Sequence, residues 1–269
     1  MLNRGSEWRR WEPHIHAPGT VMNNQFSGPT AWTDYLTALE SAAPVIEAIA
    51  VTDHYVTDTY EEVLRHKAAG RLPATKLIFP NVELRLNVAT ARGGFVNLHL
   101  FVSPEDPKHV EELQRLLSGV REAADQTIRR EIEGFAHVIF ASSPAQREFW
   151  LGQRDLAPDE MRARYGGLKP YLHGSDAHKL DDVASPFGDR FSWIKGGLEF
   201  DALRQACIDP GGRAHVGAEP PASATPSQVI SGIEILDAPW MTTPVIPLNP
   251  GLVAIIGARG SGKTALADI

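Results

Sequence analysis

Apolar, strand-like runs in this chain repeatedly end in histidine or acid. The residues are His14 and His16, Asp53 and His54, Glu83, His99, and Asp176 and His178. No other feature narrows the possible folds as far. Side chains that resist burial, set where several strands end, gather at one rim when strands alternate with helices. The runs at 12–16, 45–52, 76–83, 95–102, 137–141, 171–174 and 191–194 read as strands. Between them, 33–42, 60–69 and 107–134 read as helices. The first has Trp32, Leu36 and Leu39 on one face; the last has Val110, Leu113, Leu116, Leu117 and Val120. This alternation predicts an α/β protein with a mostly parallel sheet, closed into a barrel.

A length of 269 residues accommodates one large domain and a smaller piece. Expected boundaries are 1–218 for the barrel, 219–228 for a Pro/Ala/Ser/Thr linker, and 229–269 for the piece. In that piece 230–236, 245–248 and 252–256 read as short strands. They lead into a GxxxxGKT phosphate-binding loop formed by Gly257, Gly260, Gly262, Lys263 and Thr264. The glycines let backbone N–H groups approach a phosphate, Lys263 adds charge, and Thr264 is positioned to ligate Mg²⁺. The acidic strand and glutamate that complete an ATPase do not follow. The piece is therefore expected to be the truncated opening of a P-loop domain, poorly packed or leaning against the barrel, and without ATP hydrolysis.

Cys207 is the single cysteine, which excludes an intrachain disulfide and a cysteine-based zinc site. A net charge of −7 disfavours a broad basic surface for nucleic acid. It leaves phosphorylated substrates open, because divalent cations in one cleft reverse the local field. Residues 1–11 lack the apolar core of a signal peptide, and no run is long enough to span a bilayer, so a cytoplasmic location is expected.

His14 and His16 lie two apart on a strand, so their side chains share a face. Asp176 and His178 repeat the spacing. Imidazoles and carboxylates from separate strands suit hydrolytic zinc, manganese or iron sites. His54 is read as a ligand, with Asp53 orienting a ligand from behind, and Glu83 as a carboxylate bridging two cations. His173 is expected beside the centre rather than in it. His137, at the start of its strand, is read as structural; His66, His109 and His215 are read as solvated. Lys195, after 191–194, is a candidate to neutralise a phosphate oxygen at the mouth, with Arg92 a weaker one.

The HxH opening, Thr52-Asp53-His54, the isolated Glu83 and Gly174-Ser-Asp-Ala-His178 together resemble the PHP (polymerase and histidinol phosphatase) family over roughly residues 8–217. More narrowly, Trp8-Arg-Arg-Trp11, Ser192-Trp-Ile-Lys195 and the phosphate loop resemble TrlF-like proteins, in which a PHP domain precedes an SMC/RecF-like ATPase. The resemblance implies a distorted (β/α)7 TIM-like barrel holding two or three divalent metals (Mn, Zn or Fe, with Mg possible). It implies phosphoester or phosphodiester hydrolysis of a small molecule or a nucleic acid, in DNA transactions or phage defence. It implies that His14, His16, Glu83 and Asp176 hold one metal, that Glu83 bridges to a second with His99, and that His54 and His178 hold a third. Glu83 and Asp176 would be the catalytic carboxylates. ATP with Mg²⁺ would belong to a longer protein. Two family ligands have no counterpart: their positions fall near Asn23 and Asn24, and near Ser142 and Ser143. A degenerate barrel that binds metal or nucleic acid without turnover is the alternative; an amidohydrolase-like site would need a mid-barrel lysine or histidine that is missing.

Overall fold

The computed structural model describes residues 4–89, 95–119, 133–140, 143–222, 228–236, 242–243 and 245–267. The chain divides into two compact units, residues 8–220 and residues 1–7 with 221–269.

The larger unit is mixed α/β. Strands β1 (Glu7–His16), β2 (Ala48–His54), β3 (Leu77–Ala89) and β4 (Phe95–Phe101) alternate at first with helices α1 (Ala31–Glu40) and α2 (Asp58–Ala68). Helix α3 (His109–Gly119) follows, then β5 (Ile139–Phe140), α4 (Pro144–Trp150), α5 (Pro158–Tyr165) and β6 (Tyr171–Leu172). The unit continues with β7 (Phe191–Gly196), α6 (Phe200–Ile208), α7 (Pro210–Arg213) and β8 (Ala214–Gly217). Six strands form one curled sheet in the order β4-β3-β2-β1-β7-β8, and β5 pairs with β6 separately.

Among the described residues the curled sheet forms a half-barrel, the coarser part of the closed, mostly parallel barrel expected from the sequence. Its β1–β2 and β2–β3 pairs are parallel, while β3–β4 and β7–β8 are antiparallel. β8 escaped the sequence reading because Ala-His-Val-Gly is too short to show alternation. Of the helix expected over 107–134, the structure describes His109–Gly119; residues 120–132 lie outside the described residues.

Two apolar layers flank the sheet. Ile15, Ile49, Val51 and Ile78 pack beneath Tyr35, Leu36 and Leu39 of α1 and Tyr60 and Val63 of α2. On the inner face, Trp11, Ala48, Ala50, Leu77 and Phe79 meet Leu172, Ile194 and Phe200. Trp11 and Ile15 therefore face opposite ways although they lie an even number of positions apart. The cause is a β-bulge: Glu12 pairs with Ile49 and Ile15 with Val51, so β1 carries one extra residue near Pro13. Proline cannot donate to a ladder, which suits it to such a site. Without the extra residue, strict alternation would drive His14 and His16 into the helix layer.

The broken ladder is repaired by side chains. Thr52 Oγ1 accepts from Ile15 N (3.2 Å) and from Asn81 Nδ2 (2.9 Å), and Asn81 Nδ2 also donates to Pro13 O (3.2 Å). A threonine and an asparagine thereby satisfy backbone groups that the bulge leaves unpaired.

In the smaller unit, β9 (Gly232–Glu234) and β10 (Val245–Pro247) form an antiparallel pair. Asn249 Nδ2 donates to Arg4 O and Ser6 O, both at 3.1 Å, which joins the first residues to this unit. The strand expected over 252–256 does not form, and Leu252 and Ile256 are almost fully exposed. A strand of this kind needs neighbours on both edges, and among the described residues β9 and β10 pair only with each other. Among the described residues no helix is long and apolar enough to cross a membrane.

Candidate metal centre

The sheet register brings the ligand candidates into rows. His54 pairs with Glu83, and Glu83 with His99, so β2, β3 and β4 present all three side by side on the inner face. One row deeper come His16, Thr52 and Asn81. The bulge adds His14 to the same face. Asp176 arrives from the loop after β6.

Three overlapping groups result: His14, His16 and Asp176; His14, Glu83 and His99; and His16, His54 and Glu83. In each, the ligand atoms lie within 4.8 Å of one another. Glu83 Oε2 is 3.6 Å from His14 Nε2, 3.4 Å from His16 Nε2 and 3.6 Å from His54 Nε2. Asp176 Oδ1 is 3.1, 3.6 and 3.6 Å from Nε2 of His14, His16 and His178. The His178 ring stacks on His16 at 4.0 Å between centroids. All seven residues read as ligands are brought together.

The Asp176 loop is pinned to β1. Asp176 N donates to His14 O (2.9 Å), and Ser175 N donates to Glu12 Oε1 (2.7 Å). A Cβ on Gly174 would lie 2.7 Å from His14 N, O and Cβ, so only glycine permits this approach. Asp176 itself has φ of +51°, a conformation non-glycine residues adopt mainly under local constraint.

The tautomers follow from donor counting. Thr20 Oγ1 donates its one proton to Asp53 Oδ1 (3.0 Å), so at 3.0 Å from His16 Nδ1 it must accept. His16 therefore carries its proton on Nδ1 and turns the lone pair of Nε2 toward Glu83 and Asp176. Likewise, Asn81 is oriented by donating to Pro13 O and Thr52. Its Oδ1 consequently accepts from His99 Nδ1 (3.1 Å), freeing His99 Nε2 as a ligand atom. Asp53 lies behind the ligands, where it accepts from Val21 N (2.9 Å), His54 N (2.8 Å) and Thr59 Oγ1 (2.9 Å). Asn97 donates a very short bond to Glu83 Oε1, leaving Oε2 to the three histidines.

These observations test whether the residues fit a cation. His14 Nε2 and His16 Nε2 are buried and make no hydrogen bond of proper geometry, although both face carboxylate oxygens. Lone pairs aimed at carboxylates at such distances repel unless something positive lies between them. The donor set fits a divalent metal. Without one, a proton takes that place. Burial lowers the pKa of His14, but its contacts with Asp176 and Glu83 outweigh this and raise it to about 9. Burial raises both carboxylates, yet the facing His14 and His16 rings hold Glu83 and Asp176 well below the usual range. His99 is pushed down to about 3 by burial and by the charge on His14. Burial also lowers His54 and lifts Glu12 to about 7.

Other expectations fare differently. Lys195 does not stand at the mouth: its Nζ lies 5.9 Å from the Trp8 ring centroid. Trp8 precedes His14 by six residues of β1, about 20 Å of strand. The orientation of β7 carries Lys195 away from the ligands, which a linear sequence does not reveal. His173 is fixed through its backbone to Ser192 Oγ and enters none of the three groups. His137 is exposed. The supposedly solvated histidines are instead half-buried against aromatics: His66 on Trp32, His109 on Tyr60 and His215 on Trp8. An imidazole ring covers apolar surface while keeping a polar edge wet. Asn23 Oδ1 accepts from Gln25 and Asn24 Oδ1 from Phe26 N, so both asparagines serve their own loop. Ser143 stands at the N-terminal boundary of α4 without a side-chain capping bond; Ser142 and Arg92 lie outside the described residues. In the phosphate loop, Gly260 and Gly262 have positive φ, and Lys263 Nζ donates to Gly257 O (2.8 Å) and Ala258 O (2.7 Å).

Thr20, Asn81, Asn97 and Glu12 were missed by the sequence reading. Asn81 and Asn97 carried a signal, since each lies two residues before a ligand on its strand and so shares its face. Glu12 has the same spacing before His14, but the bulge between Glu12 and Ile15 breaks the alternation there; Thr20 carried no signal. No family model and no curated protein matches the chain.

Proposed function

We propose that the larger unit is a metal-dependent phosphoester hydrolase of the PHP kind, its half-barrel a distorted form of the (β/α)7 barrel. The observation that supports this most is the shared Glu83: one carboxylate belongs to two ligand groups, and His14 and His16 link each of these to the third. Overlapping groups of this sort suit adjacent cations clamping one phosphoryl group, the arrangement of two-metal hydrolases. His14, His16, Glu83 and Asp176 would hold the first cation, Glu83 would bridge to a second with His99, and His54 and His178 would hold a third. Divalent cations there supply Lewis acidity toward phosphoryl oxygens and lower the pKa of water.

The chain's own contribution is preorganisation. Thr20 and Asn81 hold the Nδ1 protons of His16 and His99, so that the lone pairs point inward before any ligand arrives. Asn97 immobilises the other oxygen of Glu83. Glu12, Gly174 and the backbone of His14 fix Asp176. The substrate is a phosphorylated small molecule or a nucleic acid. Residues 257–264 are read as a nucleotide-phosphate loop with a separate role.

The test is metal counting by plasma mass spectrometry beside manganese-dependent turnover of p-nitrophenyl phosphate, bis(p-nitrophenyl) phosphate and single-stranded DNA. Two or more metals with turnover abolished by Glu83→Ala is the expected result. Turnover that survives Glu83→Ala would sink the assignment. A metal-binding module without turnover is the second reading. The loop bonds of Asn23 and Asn24, where the family supplies a ligand, favour it, and one metal with no turnover would establish it.

A further inference from the structure

We propose that Arg85 is the residue that grips the substrate's phosphoryl oxygens at the rim of the metal centre, an assignment that rests on the phosphoester reading. Beyond the row of His54, Glu83 and His99, the next row outward pairs Arg85 with Asn97. Asn97 reaches Glu83 Oε1 with its side chain, so this row lies on the inner face. Arg85 is two residues from Glu83 on one strand and directly opposite Asn97; alternation and cross-strand pairing both put it on that face. Glu83 is buried whereas Arg85 is exposed, which places a cation between solvent and the ligands.

The backbone of Arg85 is fixed with unusual care. β2 ends at His54, so β3 continues past its neighbour. Tyr55 replaces the missing ladder: its hydroxyl accepts from Arg85 N and donates to Arg85 O, both at 2.9 Å. To do so Tyr55 takes φ of +62°, a strained conformation for an aromatic residue and one that tends to persist where function holds it. A guanidinium offers planar, paired N–H groups that match two phosphoryl oxygens. In a chain of net charge −7, capture of an anion depends on local positive charge, which Arg85 would supply beside the metals.

The experiment compares manganese-loaded wild type, Arg85→Gln and Arg85→Lys for binding of inorganic phosphate by titration calorimetry, with metal content measured on the same samples. Metal content is expected to stay at the wild-type level in both variants. Phosphate affinity should fall on the order of tenfold to a hundredfold in Arg85→Gln, and less in Arg85→Lys. With p-nitrophenyl phosphate the loss should appear in kcat/KM. Wild-type phosphate affinity in Arg85→Gln, with turnover intact in the wild type, overturns the assignment of Arg85 and leaves the phosphoesterase reading standing. Loss of metal from Arg85→Gln also overturns it, since Arg85 would then be supporting the ligands. A wild type that holds its metals yet neither binds phosphate nor turns over overturns both.

Discussion

Replacing Thr20 by valine removes one hydroxyl and keeps the side chain's shape. Thr20 is 3% exposed, and its oxygen joins His16 Nδ1 to Asp53 Oδ1 through two 3.0 Å bonds. Asp53 would keep its bonds from Val21 N, His54 N and Thr59, so the loop around it should hold. His16 would lose the acceptor that fixes its tautomer. Removing such an outer partner of a ligating histidine costs about 10–100-fold in metal affinity, which is about 1.4–2.8 kcal/mol. The fold itself should lose about 2–4 kcal/mol for one neutral buried hydrogen bond and one to the Asp53 carboxylate. Competition against a coloured chelator measures the first quantity, and urea unfolding of chelator-treated protein measures the second. Reduced metal affinity together with that stability loss is the expected pair. A Thr20→Val protein that binds manganese as tightly as wild type would refute the idea that this relay sets the lone pair of His16.

Further predictions follow from the same geometry. Because the pKa of His14 is raised to about 9 in the metal-free protein, its pairing with Asp176 and Glu83 stabilises the fold fully below pH about 6.5 and is lost as pH rises through about 9. Thermal melts of chelated protein should fall across that window, and a flat profile would contradict the pairing. Metal binding near pH 7.5 should release about one proton, read by calorimetry in buffers of different ionisation enthalpy. Gly174→Ala forces a Cβ to 2.7 Å from three atoms of His14. It should cost about 1–3 kcal/mol of stability and lower metal content; unchanged melting and metal content would show that the Asp176 loop relaxes freely.

Much of the centre was legible in the linear chain because strand geometry is local. Two-residue spacing puts His14 with His16 on one face, and the end of an apolar run marks where Glu83 and His54 emerge. Neighbouring positions on the same strands, Asn81 and Asn97, obey the same rule. The histidines at 66, 109 and 215 were misread because a ring packed on an aromatic looks, in sequence, like any surface histidine.

The contrast between Lys195 and Arg85 marks where local information ends. Both are cations on strands, and alternation alone treats them alike. The pairing of β3 with β4 sets Arg85 one row beyond Glu83, while β7 carries Lys195 to the ring of Trp8. The bulge at Pro13 is of the same kind. Its proline was visible in the chain, but whether it inserts a residue depends on how β1 registers against β2 and on Thr52 and Asn81 meeting the orphaned backbone. Which residue types can ligate, and which face of a strand they share, follow from chain chemistry and a two-residue period. Which cation meets the centre, and which tautomer each histidine keeps, follow from contacts between residues tens of positions apart, and only packing selects those.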